Sequence, residues 1–265
     1  MRKFSRKSVI IAILFTATIF CPLAPGRAHG NPLPFQAGER LNFQIKWSFI
    51  PAGTAILEVA PPPENIKGAY LHFILKAKTY PAISLIYKFW ERIDSYTSGR
   101  ATRTILYKKI QKGRTKRDIT VSFAWDKQEA RYTNFDDTRK PITVPPGTLD
   151  PLSAFYFVRT QCLTVGQTLE RPITDGKKVV IGRLHVLKRE TLKIKGHAIA
   201  TFKLEPELKD VKGVFEKSKH ARMYIWVTAD SRKVLVKIKS KIIVGSFVAT
   251  LVNLEALTGP AVIKQ

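Results

Sequence analysis

The feature that most constrains the fold of this chain is an alternation of apolar and polar residues that recurs in short segments. Residues 41–47, 70–79 and 233–241 all alternate in this way. A strand with this pattern turns one face to a core and the other to water, as in an antiparallel sheet. Short turn signals, such as residues 112–114 and 126–128, separate the segments. The spacing predicts roughly eleven or twelve strands.

Some turns are less sharply marked. Residues 51–53 (Pro-Ala-Gly) predict a turn between the first two strands, and a break near residue 190 is expected between strands at 178–189 and 191–204. Gly245 is expected to tighten a late hairpin.

One segment predicts a helix instead of a strand. Asp150 can accept hydrogen bonds from the first amides of a helix, and Pro151 needs no amide partner at the first position. Residues 152–158 are so apolar that this helix should be largely buried. The sequence therefore predicts an all-β fold with one short helix, namely an antiparallel open barrel or strongly curved sheet with a central plug helix.

The first 28 residues have the order of a secretory signal peptide. A basic start is followed by an apolar run at residues 9–20, two prolines, and small residues at 26 and 28. We expect cleavage after Ala28, a periplasmic location, and a single β domain over residues 29–265. The apolar run is shorter than the roughly 20 residues that span a bilayer, so we expect no transmembrane segment after cleavage. A retained membrane anchor is the alternative.

The chain is strongly basic, with a formal net charge of +25. The predicted signal peptide carries five basic residues and no acidic ones, which leaves +20. A charge of this size attracts anionic partners such as lipid head groups, lipopolysaccharide or acidic polymers. The alternative is that the cations form the solvated face of a sheet, as the Lys residues at 237, 239 and 241 suggest. Nucleic acid is not expected, because the chain carries an export signal and no recognition motif.

Residues that could carry catalysis or hold a metal are sparse. Cys162 would be the only cysteine after cleavage and is expected to be a buried small residue. Four scattered histidines lack metal-ligand spacing: they are His72, His185, His197 and His220. Ser153 has no nucleophile elbow around it and is interpreted as a packing residue. We therefore expect no enzyme, metal or cofactor, and an envelope hydrolase is kept as a remote alternative.

Three charged residues, Glu91, Asp94 and Arg159, have both a functional and a structural interpretation. Glu91 and Asp94 are three apart in a predicted strand, so they should lie on opposite faces and form salt bridges instead of a catalytic pair. Arg159 closes an apolar helix, where a charge is costly unless it is paired. It is either a head-group anchor at a cavity mouth or one half of a buried pair, with Asp150 or Glu91 as partner, or bound to helix carbonyls.

Several motifs together resemble one family. They are residues 38–43 (GERLNF) with Trp47, residues 50–55 (IPAGTA), residues 150–156 (DPLSAFY) with Arg159, and residues 225–230 (IWVTAD) with Val236 and Gly245. These motifs span residues 38–255 and are similar to the DUF3108 family of bacterial envelope proteins, whose function is unassigned. The resemblance implies an exported β-rich domain and supplies no catalytic residues. The heavy Lys and Arg content departs from the family pattern.

The aromatic residues suggest a binding function. In an open barrel they can line an apolar interior, which in barrels of this size is either filled or holds one ligand. The predicted ligand-binding residues are Trp47, Tyr87, Trp90, Phe155, Tyr156 and Arg159. Residues 80–87 form an apolar stretch that is interpreted as a lip able to face lipid, so peripheral membrane contact is included.

Two functions follow from these observations. The leading hypothesis is a non-enzymatic envelope protein that binds an amphiphilic, anionic ligand, such as a lipid or a lipopolysaccharide-like molecule. The alternative is an envelope assembly or scaffold factor that docks through a cationic sheet face to an anionic polymer or a partner protein.

Overall fold

A computed structural model describes residues 32–207, 222–241 and 246–257. The predicted signal peptide, His220 and the predicted turn at Gly245 lie outside these residues. The strands are β1 (Arg40–Trp47), β2 (Ile50–Ala60), β3 (Leu71–Thr79), β4 (Phe89–Thr97), β5 (Thr104–Gly113), β6 (Arg117–Ala124), β7 (Glu129–Asn134), β8 (Asp137–Thr138), β9 (Ile142–Thr143), β10 (Thr168–Thr174), β11 (Val179–Ile194), β12 (His197–Pro206), β13 (Arg222–Thr228), β14 (Leu235–Lys241) and β15 (Ser246–Leu251). Two α-helices, α1 (Pro81–Ser84) and α2 (Pro151–Arg159), complete the regular elements along with short 3-10 turns at Gly99–Ala101 and Leu254–Leu257.

All the strands belong to one antiparallel sheet. The strand order runs β10-β11-β12-β13-β14-β15-β1-β2-β3-β4-β5-β6-β7-β8, and β9 pairs with β7. Strand β1 therefore lies in the middle of the sheet, where it pairs with β15 over Phe43↔Leu251 to Trp47↔Phe247. Among the described residues no ladder joins β8 to β10, so the sheet is not closed.

The two ends of the sheet nevertheless approach each other. The amide of Val144 donates to the carbonyl of Gln128 beside β7, and the amide of Leu149 donates to the carbonyl of Pro172 in β10. Residues 142–149 thus bridge the gap between the two edges. The sheet is strongly curved, as predicted, because its first and last strands lie on either side of this short segment.

Helix α2 begins and ends where the sequence predicts. Asp150 accepts hydrogen bonds from the amides of Leu152 and Ser153, and Pro151 occupies the first helical position. The last turn is closed by Thr160, whose amide donates to carbonyls of the helix. Local sequence signals alone are therefore enough to fix this element.

The alternation in β14 is confirmed. Val236 and Ser240 are buried, whereas Lys239 and Lys241 are exposed. One face of this strand contributes to the core and the other is cationic. No helix within the described residues is long and apolar enough to cross a membrane.

Three local predictions were wrong. The first hairpin turns at Ser48 and Phe49, and residues 51–53 already belong to β2, because Ser48 adopts a positive φ of 52° there. The strand expected to break near residue 190 runs on to Ile194 and turns at Lys195 and Gly196, both with positive φ. Two successive positive φ values are the geometry that a tight hairpin turn requires.

The third error concerns Cys162. It lies three residues beyond the end of α2 and is exposed. The apolar stretch that suggested burial ends with the helix, so the cysteine falls outside the core.

The strand count also differs from the prediction. The described residues contain fifteen strands, since β8, β9 and β10 were not expected. Strands β8 and β9 have two residues each. Segments this short are below the length at which alternation can be recognised.

Candidate functional site

Helix α2 fills one end of the concave face of the sheet. Tyr156 is fully buried, and its ring stacks on Phe73 of β3 with centroids 3.8 Å apart. Phe35 packs edge-on against both rings. Burial raises the pKa of the Tyr156 hydroxyl well above its usual value, and nearby Arg159 opposes the shift only in part. This end of the concave face is a packed core.

Arg159 is fully buried at the end of α2. Its guanidinium donates to both carboxylate oxygens of Glu39, at 2.5 and 2.9 Å, and to the carbonyls of Arg232 and Pro34. The guanidinium also lies 5.2 Å from the ring centroid of Phe35. The arginine is thus one half of a buried pair, although its partner is Glu39 instead of Asp150 or Glu91.

Asp150 organises a second buried polar cluster. Its Oδ2 accepts hydrogen bonds from the hydroxyls of Ser95, Ser153 and Thr104, and the last of these is 2.8 Å long. The two serine hydroxyls also contact each other. Ser153 therefore ties α2 to β4, a structural role that agrees with its interpretation as a packing residue.

Away from α2 the concave face opens. On β1 the core-facing residues Leu41 and Phe43 are buried, but Ile45 is half-buried and Trp47 is 37% exposed. On β15 Leu251 is buried, while the core-facing residues nearer the strand start are more exposed. On these two strands burial thus decreases from the helix end to the opposite end.

We call the half-buried apolar part of this face the trough. It is lined by residues that share the core-facing side through the strand register: Ile45, Ala55, Leu75, Ala77, Ile238 and Ala249. Ala55 and Ala77 are direct cross-strand partners, so the floor of the trough consists of small side chains. At about 3.3 Å per residue, the trough extends roughly 13 Å from Phe43 to Trp47.

A polar corner lies on one wall of the trough. Glu91 and Lys109 form an ion pair 2.5 Å long, with side chains that are 12% and 23% exposed. Gln111 and Arg117 are cross-strand partners on the same side of β5 and β6, nearer the open end. The concave face therefore combines an apolar floor with a positively charged edge.

The open end of the trough is surrounded by strand ends that we call the rim, comprising residues 46–50, 78–90, 111–117, 239–241 and 246–247. The strand register joins these segments side by side, for example through Trp47↔Phe247, Lys78↔Trp90 and Trp90↔Lys112. Helix α1 lies within the rim, in the stretch interpreted from sequence as a lip. Leu85 and Ile86, directly after α1, are 90% and 88% exposed.

The six predicted binding residues fall into three places. Phe155, Tyr156 and Arg159 lie on α2 at the filled end, where the last two are fully buried. Trp47 and Tyr87 lie at the rim, 37% and 47% exposed. Trp90 faces the outside of β4, where Lys112 sits 5.4 Å above its ring. The structure does not bring them into one cluster, and their role in binding stays a prediction.

Sequence reasoning missed the trough itself. The alanines at its floor and the polar corner were not singled out, because an alanine in a strand has no chemical signature. A signal did exist: Ala55 and Ala77 are small residues in two predicted strands, and the strand register places both on the core-facing side. Small side chains at core-facing positions leave volume that the protein's own core does not fill, and a ligand can occupy it.

Three further titratable residues, Asp94, Glu91 and His185, have structural partners. Asp94 lies on the outer face, where it accepts hydrogen bonds from Arg92 and contacts His72 at 2.9 Å. Glu91 lies on the inner face, so the predicted separation of the two carboxylates and their salt bridging are confirmed. His185 contacts Glu207 and Thr168. Within the described ranges no group of three or more His, Cys, Asp or Glu could hold a metal ion.

Comparison with known proteins shows which family the chain belongs to. No curated protein matches it. A crystal structure of a β-barrel-like protein of the domain of unknown function DUF1849 from Brucella abortus is 8% identical, covers 80% of this chain and 94% of that one, and has a TM-score of 0.49. The lipoprotein LppX from Mycobacterium tuberculosis is 11% identical, covers 81% and 85% of the two chains, and has a TM-score of 0.24. The model of the family described as "Protein of unknown function (DUF3108)" matches residues 42–252. The chain therefore belongs to the DUF3108 family.

Proposed function

We propose that this protein is a non-enzymatic envelope protein that binds an anionic amphiphile, with the acyl chain in the trough. The observation that carries the proposal is the burial gradient of the concave face. Apolar residues turned toward the core are covered at the α2 end and half-exposed at the other. Exposed apolar surface inside a concave face is the usual form of a small-molecule site.

The chemistry of the walls selects the ligand class. The floor of small aliphatic side chains accepts a chain without hydrogen-bonding groups, since any polar group there would lose its water. Arg117 stands on the wall of β6, on the same face as the ion pair of Lys109 with Glu91, and its positive charge attracts a negatively charged head group. An amphiphile with an apolar tail and an anionic head satisfies both parts of the site.

The role of the predicted residues differs within this proposal. Trp47 and Tyr87 lie where a ligand enters, so they contact its outer part. Tyr156 and Arg159 form the closed bottom of the core and set the depth of the trough from beneath. The bound molecule therefore contacts residues of the rim and the trough, and Tyr156 and Arg159 lie beneath it.

The proposal is tested by native mass spectrometry of the protein purified without detergent, followed by organic extraction. We expect one lipid or glycolipid per protein, with a negatively charged head group. A protein mass without added ligand, together with a lipid-free extract, would count against a carrier function.

A specific observation favours a second function. On the outer face Lys203 lies 3.8 Å from the ring centroid of Tyr224, and Lys237 lies 5.3 Å from that of Trp226. Trp226 is itself buried, so the lysines and Tyr224 form the accessible part of this surface, which could dock an anionic polymer, as expected of an assembly or scaffold factor. Binding of such a polymer to ligand-free protein, weakened by salt and by Lys203→Gln and Lys237→Gln, would support this second function.

We also propose a periplasmic location for the mature protein, after cleavage behind Ala28. The support is the order of basic, apolar and small residues in the first 28 positions. Amino-terminal sequencing of protein from the periplasmic fraction should begin at His29. A protein recovered uncleaved from the cytoplasm would contradict the proposal.

A further inference from the structure

The rim carries an unusual concentration of exposed large apolar residues. Phe49 is 92% exposed in the β1–β2 turn, and Leu85 and Ile86 are 90% and 88% exposed after α1. Ile50, Tyr87, Trp47 and Phe247 are further exposed apolar residues of the same rim. Exposed apolar residues that cluster, instead of occurring singly, mark an interaction surface.

The rim segments are tied together at the backbone. The amide of Tyr80, just before α1, donates to the carbonyl of Ala52 in β2 at 3.0 Å. The amide of Ser48 donates to the carbonyl of Ser246 at 2.7 Å, and the Trp47 and Phe247 rings stack. The β1–β2 turn is therefore held between the start of β15 and the α1 segment, so the apolar side chains project from neighbouring places.

The charge of the rim has one sign. Its residues include the cations Lys46, Lys78, Lys88, Lys112, Arg114, Lys116, Arg117, Lys239 and Lys241, and these segments contain no Asp or Glu. The cations flank the apolar tips on both sides of the sheet end. A water-soluble protein partner would need a matching acidic, apolar face, whereas an anionic bilayer presents both features at once.

We propose that the rim docks on the surface of an anionic phospholipid bilayer. Phe49, Leu85 and Ile86 enter the boundary between head groups and acyl chains, and the surrounding lysines contact the lipid phosphates. Apolar burial and attraction to anionic lipid add together in peripheral binding of this kind. Docking in this orientation turns the open end of the trough toward the membrane.

The docking goes beyond ligand binding and does not depend on it. Vesicle binding reports only the rim, whereas mass spectrometry of the bound molecule reports only the trough. If the trough is empty but the rim binds vesicles, the docking proposal stands and the carrier proposal falls. If the trough holds a lipid but the rim does not bind vesicles, the carrier proposal stands and the docking proposal falls.

The test is sedimentation of the purified protein with vesicles of phosphatidylcholine alone or with phosphatidylglycerol added. We expect binding to the mixed vesicles that weakens with salt. The triple variant Phe49→Ser, Leu85→Ser, Ile86→Ser should lose at least about tenfold in partitioning, because exposed apolar area is removed. The double variant Lys78→Glu, Lys112→Glu should partition at least about tenfold more weakly onto the mixed vesicles.

Matched controls lie at the opposite end of the sheet. Tyr70 is 69% exposed in the β2–β3 loop, and Lys67 in the same loop is exposed. Tyr70→Ser and Lys67→Glu should leave vesicle binding unchanged. The proposal is overturned if wild-type protein ignores the mixed vesicles, if the rim variants bind like wild type, or if the controls lose as much binding as the rim variants.

Discussion

Arg159 shows how one residue can look functional in a sequence and be structural in the fold. Its side chain is completely buried, and Glu39 approaches it from 120 positions away along the chain. A buried charge is tolerated only when its hydrogen-bonding groups are satisfied, and the two backbone carbonyls complete this requirement here. The sequence indicates that the charge needs a partner, but not which residue supplies it.

Removal of this arginine should be costly. We expect Arg159→Met to lower the free energy of unfolding by about 3–5 kcal/mol, because Glu39 would remain as a half-buried charge without its partner. Arg183 is a control, since its ion pair with Glu170 is exposed, and Arg183→Met should change the free energy of unfolding little. Chemical denaturation of both variants measures the difference. Equal losses in the two variants would contradict a structural role for the buried pair.

Asp94 gives the fold a dependence on acid. Burial alone would raise the pKa of its carboxyl group, but hydrogen bonds from Arg92 and His72 outweigh this and hold the pKa well below its usual value. A carboxyl group whose pKa is lower in the folded state stabilises the fold above its unfolded pKa of about 4. That contribution is lost as the pH falls from there toward the folded pKa.

The stability of the wild-type protein should therefore decline below about pH 4. Asp94→Asn should make this decline shallower, whereas Asp126→Asn, in the exposed β6–β7 turn, should leave it as it is. Urea denaturation at a series of pH values measures the slope. An unchanged slope in the Asp94→Asn variant would show that the acid dependence comes from other groups.

At the scale of elements, local signals decide how much can be predicted. Helix α2 follows from its capping aspartate, its proline and its apolar run, all within ten residues. The turn at Lys195 and Gly196 was missed because β11 keeps alternating past the expected break. The floor of the trough depends on which residues of β2 and β3 face each other, and this register is set by contacts between strands that no single segment contains.

The close approach of β2 and β3 depends on Gly53. A Cβ atom at this position would lie 2.2 Å from the carbonyl oxygen of Lys78, which is backbone and cannot rotate away. Gly53→Ala should therefore push the strands apart and cost about 1–3 kcal/mol of unfolding free energy. Gly99 has open space around it, so Gly99→Ala is the matched control and should change stability little. The explanation fails if the two variants unfold alike.

At the scale of the whole molecule, the curved sheet has one filled end and one open end. Helix α2 and its buried pairs close the first, and the apolar trough with its cationic rim forms the second. The sequence predicted the curved sheet and the plug helix, because alternation and capping are local. It placed the aromatic candidates in one interior, whereas the structure divides them between core, rim and outer face.

The most direct test of the account is to fill the trough with a side chain. Ala77→Trp places an indole on its floor, and Lys108→Trp places the same group on the exposed, outer side of β5. Both variants are titrated with a fluorescent fatty acid, after circular dichroism has shown that they fold. We predict that wild type and Lys108→Trp bind the probe alike, and that Ala77→Trp binds at least about tenfold more weakly because the indole takes the space of the chain. Equal binding by all three proteins would contradict a ligand site in the trough.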